Sequence, residues 1–520
     1  MMKKNTIKSF KLAAKLILGV LIFISCTNNF GEINRPGGSL SNEELNRDNY
    51  RSGVFFITLQ DNSFPAQENN YQMNQNLIGD YYGRYMMYTS AGWSPANFTT
   101  YNAPKGWVDY PFSNVMTSIY SAWNEIAKAT NKTGVNFAWA QILRIQAMQR
   151  LTDMYGPLPY SKITGEDLKT SYDTQEEVYK NMFNDLNEAI ATFKSYIASN
   201  PQGKPFGSFD KVYGGDMNKW FKFANSLKLR MAIRIRYANS QFAQQMGEEA
   251  VRSGVITSNA DNAKEIYAKN PIEVMWNSYG DARLAADMDA FLNGYKDPRA
   301  SSYAQKSHIE GAERNIVGLR SGANVTNQEN ARKYSSPVAA TNDPVLWLSA
   351  AEVAFCRAEG ALAGWAGMGG SAEELYNEGI KLSFEQWGAS GADNYIVDEA
   401  LSQSAYTDPL KVGGDQAAVS TITIKWKSSD SAEKQLERLI TQKWIALWPN
   451  GHEAWCEIRR TGYPQIFPLA QSTNYGTMKV ANRIPFNSNE YINNRTNVEA
   501  AVAVMGGKDD YATKMWWQKK

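Results

Sequence analysis

The chain has 520 residues, and 54 Lys+Arg against 52 Asp+Glu leave a formal charge of only +2. It therefore lacks the basic excess with which nucleic-acid binders neutralise phosphates, and nucleic acid is excluded as an expected partner. Hydrophobic residues at 43% and aromatics at 12% suffice for a large core, whereas two histidines and three cysteines exclude HExxH, multi-histidine and four-cysteine zinc sites.

In chain order, residues 1–25 read as an export signal. Lys3, Lys4, Lys8, Lys11 and Lys15 lead into an apolar run over 16–24 that is too short for a stable membrane-spanning helix. The run stops at Phe23-Ile24-Ser25-Cys26, where a small residue directly before Cys resembles a bacterial lipobox, so Cys26 is the expected lipidation site. Residues 26–50 are polar and punctuated by Gly and Pro, as suits a lipidated tether, and 51–520 read as a single domain. No later apolar stretch reaches about 18 residues, which leaves acyl chains as the expected membrane attachment.

Within 51–520 the strongest periodic signals are helical. Phe137 to Tyr155 carries Ile142, Leu143, Ala147, Leu151 and Met154 at three- and four-residue spacing and stops at Gly156-Pro157. Thr174-x-x-Glu177 is a capping box opening the next helix. Trp220 to Tyr237 follows as a strongly basic helix, whose Lys219, Lys222, Lys228, Arg230, Arg234 and Arg236 predict a solvated face. Asp343-Pro344 reads as an N-cap and first-turn proline opening a helix over Val345 to Trp365. Ser371-x-x-Glu374 caps another that runs to about Trp387, and Glu433 to Trp448 breaks at Pro449-Asn450-Gly451. Paired helices with small packing residues predict tetratricopeptide-like repeats interrupted by insertions. Residues 80–135 and 266–342, rich in Tyr, Trp, Asn, Gly and Pro without a sustained period, read as ordered, loop-rich insertions.

Other features predict less. Gly367-Met368-Gly369-Gly370 lies between helices with no preceding strand and is a connecting loop, not a phosphate cradle. His452 reads as a capping or core residue, His308 as solvated, and Arg459-Arg460 as ties to neighbouring carboxylates. Cys356 and Cys456 are either disulfide-bonded or two buried thiols. Trp139, Trp220, Trp347 and Trp444 fall on helical faces and are expected in the core, and Trp516-Trp517 is expected exposed or at an edge. No EF-hand loop is present, and no metal or cofactor is expected.

Five ordered segments resemble the SusD/RagB outer-membrane lipoproteins. Ala138 through Tyr155-Gly-Pro-Leu-Pro-Tyr160 is similar to the family's helix leading into Tyr-Gly-Asp. Asn218 to Ile235 resembles its next helix, and Leu348-Ser-Ala-Ala-Glu through Arg357-Ala-Glu-Gly-Ala361 its Arg-Ala-Glu segment. Gln442 to Trp448 with Glu457-Ile-Arg-Arg-Thr-Gly462 resembles its Leu-Arg-Arg-Thr-Gly ending, and Arg483-Ile-Pro-Phe486 its Arg-Ile-Pro tail. Gly156-Pro157 replaces the family's Gly-Asp, and the Glu usual before the aromatic of 443–448 is missing; both departures mark a divergent branch. The resemblance implies a mainly α fold, with four tetratricopeptide-like helix pairs as scaffold and a loop-rich ligand-binding subdomain. It also implies a lipid-anchored, non-catalytic protein of the outer-membrane surface that partners a SusC-like TonB-dependent transporter and captures oligosaccharides or, in some members, peptides.

Sugar rings present C–H faces to Trp and Tyr and a fringe of hydroxyls to polar side chains. Trp93-Ser-Pro-Ala-Asn97 with Trp107, and Trp276-Asn277-Ser-Tyr279-Gly-Asp-Ala-Arg283, each supply both within a short stretch. The expected ligand-binding set is therefore Trp93, Trp107, Trp276 and Tyr279 as platforms, with Asp80, Asn97, Asn277 and Arg283 as polar contacts. A peptide-binding role on the same scaffold remains an alternative. So does glycoside hydrolysis, which requires two carboxylates facing each other across a cleft, about 5–5.5 Å or about 6.5–9.5 Å apart.

Overall fold

Capping chemistry sets where the long helices begin. The computed structural model describes residues 50–65, 67–163 and 169–520; the expected signal segment, Cys26 and the tether to residue 49 lie outside the described residues. Helix accounts for 52% and strand for 5%, so elements bury their apolar stripes mainly against other helices. Among the described residues, α-helices of nine residues or more are α1 (Tyr50–Ser63), α2 (Lys105–Thr130), α3 (Gly134–Tyr155), α4 (Gln175–Ser199), α5 (Met217–Ile235) and α6 (Ser240–Ser253). They continue as α7 (Ala286–Gly294), α8 (Ala350–Leu362), α9 (Ala372–Gln386), α10 (Ala432–Ala446), α11 (Gly451–Thr461) and α12 (Arg495–Met505). Thr174 and Ser371 form full capping boxes with Glu177 and Glu374, which satisfies backbone N–H groups that a helix start leaves orphaned.

Four pairs of consecutive helices form the scaffold: α3 with α4, α5 with α6, α8 with α9, and α10 with α11. The pairs are joined side by side, because α4 packs on α5, α5 on α8, and α8 on α10. Small residues allow the approach. A Cβ on Gly379 of α9 would sit 2.8 Å from the Phe355 ring of α8. Trp139, Trp220, Trp347 and Trp444 are fully buried in this core, and Trp139 stacks on Phe56 at 4.3 Å and on Phe206 at 4.5 Å. Cys356 and Cys456 are free, buried thiols.

Four expectations need correction. Val345–Leu348 is a strand, not the first turn of a helix, because its four apolar residues pair with Ala263–Glu265; α8 starts later, capped by Ser349. A 26-residue helix, α2, occupies the presumed loop of 80–135, its period masked by Trp107, Tyr110 and Pro111 in one stretch. The basic face of α5 is only partly solvated: Lys219, Lys222 and Arg236 are half-exposed, but Lys228, Arg230 and Arg234 are at most 5% exposed, held by carboxylates from other helices. Trp517 is fully buried, and its indole N–H donates to Asp153 at 2.9 Å.

That carboxylate belongs to a charged seam running through the helical core. Arg230 donates to both oxygens of Glu352 at 2.6 and 2.7 Å. Arg234 joins Glu453 and lies 3.3 Å from Asp153, Lys443 meets Glu457 at 3.0 Å, and Arg460 bridges Glu359 and Glu457. Arg460 thus ties to carboxylates as its sequence context predicts. Arg459 instead donates to the carbonyls of Asp153 and Asn482 and lies 3.4 Å from the Trp455 ring centre. Buried charges survive only when paired in this manner.

Candidate functional site

A three-residue clasp builds the candidate face. β1 (Met86–Tyr88) pairs antiparallel with β3 (Ala282–Leu284), matching Met86 to Leu284 and Tyr88 to Ala282; all six residues are buried. Because the strands run in opposite directions, the chain leaving Tyr88 and the chain entering Ala282 emerge at the same end. One carries Trp93 and Trp107, the other Trp276, Asn277 and Tyr279. The two aromatic stretches that sequence singles out, nearly two hundred residues apart, therefore leave the clasp at the same end.

Hydrogen bonds beyond the clasp fix both runs. Thr89 N–H donates to the Asp281 carbonyl at 2.9 Å and its hydroxyl to the Gly280 carbonyl at 2.5 Å. The Asp281 carboxylate accepts from Ser90 at 2.7 Å and Gln72 at 3.3 Å; burial raises its pKa, and these two donors oppose the rise. Gly280 has φ +69°, and a Cβ there would lie 2.7 Å from the Arg332 guanidinium, so glycine is needed on both counts. Arg332 donates to the carbonyls of Tyr279 at 2.8 Å and Gly280 at 3.1 Å. Sequence offered no signal for Arg332, since it lies some fifty residues beyond the turn that it braces.

The expected contacts divide into two groups. Trp93, Trp107, Trp276 and Tyr279 are half-buried and Asn277 is exposed. Trp93 and Trp107 meet edge to face, with centroids 5.1 Å apart at 77°, and Phe98 supports Trp107 from 6.3 Å. The Trp276 indole N–H reaches the Ala339 carbonyl at 3.4 Å, the Tyr279 hydroxyl donates to Asn69 at 3.1 Å, and Asn277 donates to Glu273 at 2.7 Å. Half-buried rings fixed in this way retain part of their apolar surface at the solvent boundary.

Asp80, Asn97 and Arg283 are placed otherwise: all three are buried, and their polar atoms serve the protein itself. Asp80 accepts from Tyr71 at 3.0 Å, Gln75 at 2.9 Å and Asn76 at 3.1 Å; burial pushes its pKa up to about 7 against these donors. Asn97 closes its own turn, accepting from Thr99 and Thr100 and donating to Trp93. Arg283 donates to the carbonyls of Trp276 at 3.1 Å, Ala282 at 2.7 Å and Arg332 at 2.9 Å, and burial, followed by the Arg332 charge, lowers its pKa to about 10. Residue type alone could not separate a polar group that faces a ligand from one that holds the loop presenting it.

The segment Gln72–Asp80 is a π-helix, and it seats the face on the scaffold at the start of α11. A Cβ on Gly451 would fall 2.4 Å from Asp80 Cα, and one on Gly83 2.4 Å from the Gly451 carbonyl. Glycine thus permits backbone to touch backbone here. One possible metal-ligating group lies deeper: Asp153, His452 and Cys456 place a ligand atom each within 4.8 Å of one another. It does not fit a cation. Arg459 already donates to the Cys456 sulfur at 3.0 Å, and burial together with Arg150, Arg459, Arg234 and Arg230 lowers the His452 pKa strongly. A divalent ion would add charge beside four guanidinium groups.

The fold is a mainly helical scaffold of paired helices, and comparisons identify the family. The chain belongs to the SusD-like family, described as SusD and RagB outer membrane lipoprotein, whose model matches residues 32–518. A SusD homologue from Bacteroides uniformis is 39% identical, with a TM-score of 0.86 over 91% of this chain and 100% of that one. One from Bacteroides thetaiotaomicron is 37% identical, with a TM-score of 0.85 over 90% and 99%. A chitin-binding SusD homologue from Flavobacterium johnsoniae is 36% identical, with a TM-score of 0.85 over 90% and 98%. No curated protein matches. Among the described residues, no helix is long and apolar enough to cross a membrane.

Proposed function

We propose that this chain is a cell-surface glycan-binding lipoprotein, anchored through Cys26, which captures oligosaccharides without transforming them and passes them to a SusC-like TonB-dependent transporter. The observation that supports it most is the clasp, which brings half-buried Trp93, Trp107, Trp276 and Tyr279 to one end of a rigid pairing. Trp93 and Trp276 serve as platforms for pyranose C–H faces, with Asn277 meeting hydroxyls at the edge. Asp80, Asn97 and Arg283 act indirectly, by holding the loops that present these rings. The family's membership of the outer-membrane lipoproteins and the chitin-binding relative point in the same direction.

Native affinity electrophoresis against glycol chitin, amylopectin, xylan and mannan tests this reading. Wild type is retarded by at least one polysaccharide, which it leaves uncleaved. Trp93→Ala and Trp276→Ala together abolish retardation while the far-ultraviolet circular dichroism stays helical. Undiminished retardation in the double variant refutes the site, and retention of peptides with no polysaccharide refutes the ligand class.

A further inference from the structure

Behind the loop that receives the Trp276 indole lies a cavity of about 260 Å³. Its aromatic wall is rigid. Tyr303 packs on Trp387 at 5.0 Å and 74° and on Trp448 at 5.5 Å and 22°; Trp387 is half-buried, whereas Trp448 is only 1% exposed and backs the wall. Ala339, whose carbonyl accepts from Trp276, also lines it. The cavity and the proposed platform thus share one wall. Val338, 38% exposed, lies among the same lining residues.

The polar rim is only partly engaged. Asn262 and Asn270 are already engaged by the protein: Asn262 donates to Gln386 at 3.1 Å and accepts from Ala350 N–H at 2.7 Å, and Asn270 donates to the Asp343 carbonyl at 2.9 Å. Two further lining groups differ. The exposed Lys264 side chain makes no hydrogen bond or ion pair among the described residues, and the Gln386 amide is engaged only through its oxygen. Lys264 owes its position to an irregularity: the register of β2 (Ala263–Glu265) against β4 (Val345–Leu348) shifts between Ala263 and Lys264, a local bulge of the kind that redirects a side chain.

We infer that this cavity is a second carbohydrate subsite, which receives one sugar ring of a chain whose neighbouring residues lie along Trp276. The inference rests on the glycan reading above. The half-buried Trp387 indole, backed by the sealed Trp448, accepts a C–H face, while the free Lys264 ammonium and Gln386 NH2 supply donors to hydroxyl and ring oxygens. The volume lies below the roughly 300–1,000 Å³ of sites that engulf a whole drug-sized ligand, so the cavity suits a single ring and not a chain. Asp343, also part of the lining, disfavours an anionic occupant beside Lys264 and favours a neutral sugar.

The test uses the full protein, the same four polysaccharides, and di- and hexasaccharides of whichever one retards wild type, titrated calorimetrically. Val338→Trp obstructs the cavity from an exposed position, and Lys264→Ala with Gln386→Ala removes the free donors; unchanged thermal melting controls for folding. Both are expected to weaken hexasaccharide binding about tenfold while leaving the disaccharide unaffected, whereas the Trp93/Trp276 double variant loses both. If the cavity variants bind every length as wild type does while the double variant loses binding, the subsite is refuted and the main site stands. If the double variant binds normally, or no polysaccharide retards wild type, the glycan reading fails and this inference with it.

Discussion

Replacing Glu453 by Gln isolates the charged seam of the helical core. Glu453 is 2% exposed, joins Arg234, lies 3.8 Å from Arg230, and receives a weak hydrogen bond from Gln149 at 3.4 Å. Burial opposes its ionisation, yet Arg230, Arg234 and Arg150 outweigh that penalty and hold the carboxyl at about 2. Relative to its ordinary value of 4.5, this corresponds to about 3 kcal/mol at 1.36 kcal/mol per tenfold change in proton affinity. The figure agrees with the about 3–5 kcal/mol lost when one member of a buried ion pair is removed. Urea unfolding followed by circular dichroism at neutral pH is expected to show a loss of about 3 kcal/mol with an unchanged slope. A double-mutant cycle with Arg234→Met sharpens the reasoning, because the double variant should recover more than about 1 kcal/mol relative to the summed single effects. A loss below about 1 kcal/mol for Glu453→Gln, or strict additivity in the cycle, refutes the idea that these charges depend on one another.

Two further outcomes follow from groups already described. Asp80 and Glu265 are both raised to about 7, mainly by burial, so between about pH 4 and 7 the folded protein binds protons that the unfolded chain has released, and stability falls as pH rises through that window. Glu453 and Glu457, buried but held at about 2 by their cationic neighbours, act in the opposite sense, and their contribution disappears as pH drops from about 4.5 towards 2. The melting temperature is therefore expected to peak near about pH 5, and Asp80→Asn should flatten the alkaline limb; a wild-type profile that rises steadily to about pH 8 contradicts this assignment. Gly451→Ala forces a methyl to 2.4 Å from the Asp80 Cα and is expected to cost about 1–3 kcal/mol, measured by the urea midpoint, while Gly92→Ala, with nothing within 4 Å, stays neutral. Equal stability of the two variants would show that the π-helix yields freely.

Sequence periodicity recovers the scaffold because α3, α4, α9 and α10 bury faces that repeat every three or four residues, with caps that side-chain chemistry announces. It fails where tertiary context dominates. Arg230 and Arg234 read as solvent-facing on a helical wheel, and only the carboxylates of Glu352, Asp153 and Glu453, brought from separate helices, make their burial tolerable. Val345–Leu348 has equal claim to strand or helix until Ala263–Glu265 arrives beside it. At the candidate face, the aromatic clusters are legible from composition, whereas the roles of Asp80, Asn97 and Arg283 depend on which way each side chain turns. That direction is decided by backbone partners such as the Trp93, Trp276 and Arg332 carbonyls, which no local pattern encodes.

The clasp also bears on how the molecule matures. Its three residue pairs join segments separated by α2 and two whole helix pairs, and such long-range contacts form late because the loop they close is entropically expensive. Newly made chains should therefore acquire their helical signal first and their grip on a ligand only afterwards, with the delay set by the search of two short strands for each other.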